Sequence, residues 1–143
     1  MRERRGDIFA QKHGWVGIPT SGVITHSVKG PRLIMGAGIA REAKEKWPGL
    51  DRTWGYHVRD HGNVPCAVAW LQVISVPVKH HFSEKSDLGL IQRSVLFLAH
   101  WAWENKIEEV YLPRLGCGHG GLRWVQIRPL LEGILDDRFT ILF

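Results

Sequence analysis

Cysteine is almost missing from this sequence. Cys66 and Cys117 are the only thiols, and neither belongs to a CxxC pair, which leaves no material for a disulfide framework or a four-thiolate zinc site. Stability must therefore come from packing. Long apolar runs are missing as well: the longest, 66–78, is interrupted by Gln72 and Ser75 and falls short of the roughly 20 residues that cross a bilayer, so no membrane partner is expected. The basic start, Met1-Arg2-Glu3-Arg4-Arg5-Gly6-Asp7, is not followed by the apolar stretch and small-residue cleavage site of a signal peptide, which points to a cytoplasmic protein. Internal repeats, low-complexity tracts and Pro/Ser/Gly linkers are also lacking.

What is present is enough core for one domain. The 143 residues are 44% hydrophobic and include seven Trp and five Phe, sufficient for a single unit over 1–143 and too rich in large apolar side chains for disorder. Nineteen Lys and Arg against 14 Asp and Glu leave a net charge of +5. That balance favours polyanionic partners, nucleic acid among them, although a solvated basic face accounts for it equally well.

Four stretches read as buried strands: 22–28, β-branched and bounded by Gly and Pro; 66–78, long enough for one strand or a bent pair; 109–115, ending in glycines; and 139–143, Phe-Thr-Ile-Leu-Phe. Helical spacing appears between them. Ile39, Ala43 and Trp47 share one face of a helix that begins at Ala37 and is stopped by Pro48-Gly49. Ile91, Val95, Leu98 and Ala102 line a second over 86–105, with Ser86 as its expected N-cap. Ile127, Leu131, Ile134 and Leu135 line a third after Leu122, in which Pro129 is tolerable only in the first turn. The segment 50–65 shows neither period and reads as a surface loop. Alternating strands and helices imply a layered α/β domain.

Two glycine turns open helices: Met35-Gly36-Ala37-Gly38-Ile39-Ala40 and Leu115-Gly116-Cys117-Gly118-His119-Gly120-Gly121. Glycines let backbone approach a ligand, and free N–H groups at a helix start favour phosphate oxygens, so two such turns suit a diphosphate. If their strands are parallel neighbours, both turns share the edge of the sheet where open α/β folds bind ligands. The plainer alternative is that the glycines only permit tight packing.

Other chemistries compete for the same residues. Gly116, Gly118 and Gly121 satisfy GxGxxG, but the chain ends at 143 without the further βαβ units of a dinucleotide-binding fold. Cys117, Gly120 and Arg123 fit the CxxGxxR spacing of cysteine phosphatases, weakened by Gly116 where that family has His. Lys79 follows a buried strand in Val76-Pro77-Val78-Lys79-His80-His81. Partly desolvated there, its amine can attack or polarise an aldehyde-like sugar carbon, and a solvated basic loop is the alternative. A metal site on His80-His81 lacks a third ligand at recognisable spacing.

Taken together, Gly6-Asp7-Ile8-Phe9-Ala10, the Met35 to Ala40 turn and Leu112-Pro113-Arg114-Leu115-Gly116-Cys117-Gly118 resemble the macrodomains, modules that bind ADP-ribose. Within them the resemblance is to the branch holding the terminal ADP-ribose protein glycohydrolase and the DarG antitoxin, which acts on thymidine in DNA. It covers nearly the whole chain and implies a three-layer α/β/α sandwich around a central mixed sheet. On this resemblance Asp7 accepts the adenine amino group, with Ile8 contributing backbone contacts and Phe143 nearby. Gly36, Ala37, Gly38, Ile39 and Ala40 form a first phosphate loop, and Gly116, Cys117, Gly118, His119 and Gly120 a second. The 76–82 stretch resembles the antitoxin's Phe-Pro-Thr-Lys-Arg-His-Trp, which puts Lys79 on its catalytic lysine.

The departures matter equally. Gly120 stands where the protein-deconjugating glycohydrolase has a catalytic Asp, Thr25-His26-Ser27 replaces an Asn pair that positions the distal ribose, and 11–21 is extra length before the second strand. His26 either contacts ligand or packs. The activity implied is hydrolysis of an ADP-ribose linkage, with DNA among the acceptors, by a monomer that needs no cofactor beyond ADP-ribose as ligand or product. The alternatives are a reader of ADP-ribose without catalysis, and a phosphatase of ADP-ribose 1″-phosphate using His26 or His119 as acid or base.

Overall fold

In the computed structural model, which describes residues 1–143, six strands form one mixed sheet. They are β1 (Arg2–Arg4), β2 (Trp15–Thr20), β3 (Ala67–Val68), β4 (Val73–Pro77), β5 (Val110–Leu112) and β6 (Phe139–Leu142), in the spatial order β1-β6-β5-β2-β4-β3. Neighbours pair in parallel throughout, except that β3 returns antiparallel against β4. Four helices flank the sheet: α1 (Gly38–Lys46), α2 (Leu50–His61), α3 (Leu88–Glu104) and α4 (Trp124–Glu132). No helix is long and apolar enough to cross a membrane.

Two cores, one on each face, make this a three-layer α/β/α sandwich. The period-two alternation of β5 sends Val110 and Leu112 to one face and Tyr111 to the other. The first face packs on α3 and α4 through Ile91, Val95, Leu98, Ile127 and Leu131. The second packs on α1 and α2 through Ala43, Leu50 and Trp54, against Val16, Ile18 and Val73. For α1, α3 and α4 the stripes legible in the sequence are the faces that the helices bury.

The structure departs from the sequence reading in five places. The second strand is 15–20, not 22–28. Gly17 and Pro19 interrupt its aliphatic pattern, yet it occupies the sheet centre, and Pro19 is accommodated because the ladder to β5 ends at Val16, before it. With that position filled, the β-branched stretch 22–28 is left as an excursion closed by a single antiparallel bridge, Ile24 to Leu33, and Val28 is fully exposed. Propensity for strand is realised only on a half-buried pleated surface.

The second correction is α2, expected as a loop. Leu50 and Trp54 are buried, with Val58 packed beside them, a stripe at spacing four masked by Gly55 and by abundant polar residues. Third, β1 went unseen because three residues, two of them exposed arginines, carry no hydrophobic pattern. Fourth, Asp87 rather than Ser86 caps α3: its Oδ1 accepts from the N–H groups of Gly89 (2.8 Å) and Leu90 (3.4 Å), a carboxylate at the positive end of the helix. Fifth, Pro129 lies inside α4 and forfeits the bond to the carbonyl of Val125, an exposed residue. The 66–78 run is the bent pair, β3 and β4 joined by a tight turn in which Gln72 has φ +54°.

One titration follows from α2. Burial, reinforced by His61, lowers the His57 pKa from its ordinary 6.5, and His57 Nε2 is buried without a partner. A depressed folded-state pKa stabilises the fold above the unfolded value and is lost as pH falls through the folded value. Thermal melts are therefore expected to show a drop in Tm as pH falls below about 6.5, and His57→Gln is expected to shallow that drop; equal slopes would refute the assignment.

Candidate functional site

Because β1, β6, β5, β2 and β4 run parallel, their C-terminal ends meet on one edge. The residues leaving that edge, in spatial order, are Gly6-Asp7 after β1, Phe143 after β6, Pro113-Arg114 after β5, Ser21 after β2 and Val78-Lys79 after β4. With strands about 4.8 Å apart, Phe143 and Lys79 leave the sheet roughly 14 Å from each other. Along this edge lies an open cleft lined by both glycine turns together with Thr20, Ser21, Lys79, Phe82, Ser86 and Arg114. The topology thus puts Lys79 in the cleft, while Asp7 and Phe143 stand at the far end of the same edge, outside the cleft lining and joined to it through Arg114, which stacks on Phe143.

The two glycine turns touch. A Cβ placed on Gly38 would lie 3.2 Å from the ring of His119. In the first turn, Ala37 precedes α1 without a capping side chain, so the N–H groups of the first helical turn face the cleft unclaimed. In the second, Gly116 has φ +75° and approaches Ile91 so closely that a Cβ would sit 2.7 Å from its Cδ1; a β-carbon is excluded by both torsion and space. Leu122 N–H closes the turn onto the Gly116 carbonyl (3.0 Å).

Lys79 is half-buried and held at both ends. Its backbone carbonyl accepts from Asn63 Nδ2 (2.9 Å), and its Nζ donates to the His119 carbonyl of the second turn (3.0 Å), with the Phe82 carbonyl at 3.5 Å. The ammonium therefore lies where strand β4 meets the second glycine loop. His80 and His81 are engaged locally: His80 Nε2 lies 2.8 Å from Asp87 Oδ2, which holds that carboxyl below the usual carboxylate range, and Ser83 bonds His81 Nδ1.

Other expected residues lie elsewhere. Asp7 is exposed on the β1 side and caps a short 3₁₀ turn, its Oδ1 accepting from Phe9 N–H (2.9 Å). Gly6 N–H reaches the Phe143 carbonyl (3.2 Å), so Asp7 and Phe143 are neighbours at that end. The Ile8 side chain is buried in the second core. His26 sits on the exposed 25–30 turn outside the cleft lining. Cys117 lines the cleft, but burial pushes its thiol pKa up against the smaller opposing effect of Arg114, the wrong direction for a thiolate nucleophile. Arg123 caps α4 away from the lining, so the CxxGxxR reading loses both of its working parts.

Three residues of the site escaped the sequence reading. Arg114 lines the cleft with its guanidinium between Phe143 (4.2 Å to the ring centroid) and Trp124 (5.3 Å), and its Nε is buried without a partner. Its signal was an arginine directly before a glycine turn. Asn63, which anchors Lys79, had no signal beyond an Asn in a polar stretch. Ser86 gives its N–H to the Gly120 carbonyl (2.9 Å), while its buried Oγ is unpartnered.

Ser86 also explains Gly120: a Cβ there would collide with Ser86 Oγ. Gly120→Asp is therefore expected to cost about 1–3 kcal/mol of stability through overpacking and to gain no activity, and adding Ser86→Gly is expected to recover most of the lost Tm. A stable, more active Gly120→Asp would contradict this packing.

No protein-family model matches the chain. Its sequence is 27% identical over 108 residues to the DNA ADP-ribosyl glycohydrolase of Mycobacterium tuberculosis, a match covering 68% of this chain and 30% of that protein. It is 22% identical over 132 residues to the human ADP-ribose glycohydrolase OARD1, covering 92% and 82%. The chain thus spans under a third of the mycobacterial relative. Among solved structures, the macrodomain of Thermus aquaticus DarG superposes with a TM-score of 0.78 at 19% identity, covering 99% of this chain and 96% of that one. Thermosipho africanus DarTG in complex with ADP-ribose superposes with a TM-score of 0.75 at 20% identity, covering 96% and 39%.

Proposed function

We propose that this chain, whose fold is that of the macrodomains, binds ADP-ribose along the cleft and hydrolyses the bond between the distal ribose and an acceptor, with DNA among the acceptors. The observation that carries this reading is the meeting of two glycine turns over a half-buried lysine whose Nζ is held to one of them. The ligand lies with adenine towards Asp7 and Phe143. Its diphosphate rests on the amides of 36–40 and on those of Gly116, Gly118 and His119, the Cys117 and Gly120 N–H groups being used within the second turn, close to Arg114 in the cleft lining, and its distal ribose reaches Lys79. Fixed N–H donors hold the sugar in reacting geometry without reorganising.

Lys79 acts at the anomeric carbon. On a glycosidic linkage the bond from that carbon to the acceptor breaks, water supplies the new oxygen, and the acceptor leaves with a proton; on an acyl ester water adds to the acyl carbon instead, and the ribose oxygen leaves with a proton. The names of the sequence relatives and the ADP-ribose complex of a structural neighbour support the reading. The test is a side-by-side panel of ADP-ribosylated DNA, glutamate-linked protein, O-acetyl-ADP-ribose and ADP-ribose 1″-phosphate, with calorimetric titration of ADP-ribose. Turnover of at least one glycosidic or ester linkage is expected.

Gly120, which leaves no carboxylate on that loop position, favours a second reading, a reader of ADP-ribose. Binding without turnover of any panel member would select it. Release of phosphate alone would select the phosphatase.

A further inference from the structure

Beyond Lys79 the chain leaves the sheet as the 79–87 segment, and at its tip His81 and Phe82 stack with ring centroids 4.3 Å apart and a 32° tilt. Phe82 lines the cleft, yet its side chain is 48% exposed, an unusual outlay of aromatic surface for a residue with no core to cover. The His81 ring is held from Ser83, whose N–H and Oγ both engage its Nδ1 at 3.1 and 2.7 Å, and the Phe82 carbonyl faces the Lys79 ammonium. The segment carries Lys79, His80, His81 and Lys85 against Glu84 and Asp87, and Asp87 is already engaged by His80 and by the start of α3.

Resting on the hydrolase reading above, we propose that the Phe82–His81 pair is a stacking platform for the nucleobase of a nucleic-acid acceptor, and so sets the acceptor specificity of the site. Position argues for it: the platform's Phe82 lines the cleft beside Lys79, the end where the leaving group must sit if adenine occupies the Asp7 end. Chemistry argues for a base in particular, because a flat heterocycle gains dispersion and π contact from an open ring face, whereas a carboxylate ester or acetyl acceptor has no face to offer. The neighbouring cations suit the flanking phosphates.

The experiment compares wild type, Phe82→Ala and Phe82→Trp on an oligonucleotide ADP-ribosylated on thymidine and on O-acetyl-ADP-ribose, with ADP-ribose titrated in parallel and Tm confirming the fold. Phe82→Ala is expected to lower kcat/KM on the oligonucleotide about tenfold, the size of one lost base stack, and to lower it on O-acetyl-ADP-ribose by no more than a third of that factor. Phe82→Trp is expected to stay near wild type on both. Equal losses on the two substrates, or an undiminished oligonucleotide rate in Phe82→Ala, would overturn the platform.

A wild type that binds ADP-ribose but cleaves neither substrate defeats the hydrolase reading instead. The platform is then judged by affinity: tighter binding of the oligonucleotide than of ADP-ribose that vanishes in Phe82→Ala supports it, and no such difference removes it.

Discussion

Lys79→Ala is expected to reduce hydrolysis of an ADP-ribosylated substrate by about 10²–10⁴-fold, the usual loss when a positioned catalytic side chain is removed. Affinity for ADP-ribose is expected to fall by less than about tenfold, because in the proposed binding mode the diphosphate rests on backbone amides that this substitution leaves in place. The split is the informative part. An interaction made only in the transition state lowers kcat and kcat/KM together, whereas loss of ground-state binding raises KM with kcat preserved.

Arginine at the same position keeps the positive charge but removes the compact amine, and its planar fork does not match the single-point geometry of Nζ donating to the His119 carbonyl. Lys79→Arg is therefore expected to recover little of the rate. Full activity in Lys79→Ala would eliminate Lys79 as the reacting group, and full activity in Lys79→Arg would reduce its role to electrostatics. Asn63→Ala, which frees the Lys79 carbonyl, is expected to lower kcat more mildly, because it loosens the position of the lysine without removing it.

Gly116→Val is expected to be the most damaging change to the loops. The residue has φ +75°, and its β-carbon would press on Ile91, Leu122 and Ser86 together. A β-branched side chain forced into that torsion costs about 1–3 kcal/mol, and overpacking adds about as much again, a large share of the stability of a domain this size. Loss of the turn also removes N–H groups on which the proposed binding mode places the diphosphate, so ADP-ribose affinity should fall by at least about tenfold. Denaturant titration and calorimetry measure the two effects separately. Combining Gly116→Val with Ile91→Ala is expected to relieve the contact but not the torsion, leaving part of the loss; complete rescue would show that φ at 116 is not strained.

The extent to which the site was legible follows the range of the forces involved. Glycine turns are local devices: Gly36, Gly38, Gly116 and Gly118 declare themselves by spacing and by the helices they open, so both loops could be placed from the sequence. Lys79 declared itself less clearly, as a cation after an apolar run, and needed the 76–82 pattern to rise above a solvated loop. Arg114, Ser86 and Asn63 act through partners far along the chain: the ring of Phe143 lies 29 positions from Arg114, and the Lys79 carbonyl lies 16 from Asn63. Neither pair falls within the few residues over which a turn or a helical stripe is read.

By itself, then, the order of residues determined an α/β layering, the buried stripes of α1, α3 and α4, and two amide-rich turns, because each depends on side-chain periodicity or on backbone freedom within a few residues. Only the tertiary structure decided that 15–20 and not 22–28 fills the sheet centre, that 50–61 is helical, and that the two turns meet over Lys79. Those outcomes depend on which segments bury one another best, a competition among distant parts of the chain that local propensity does not register.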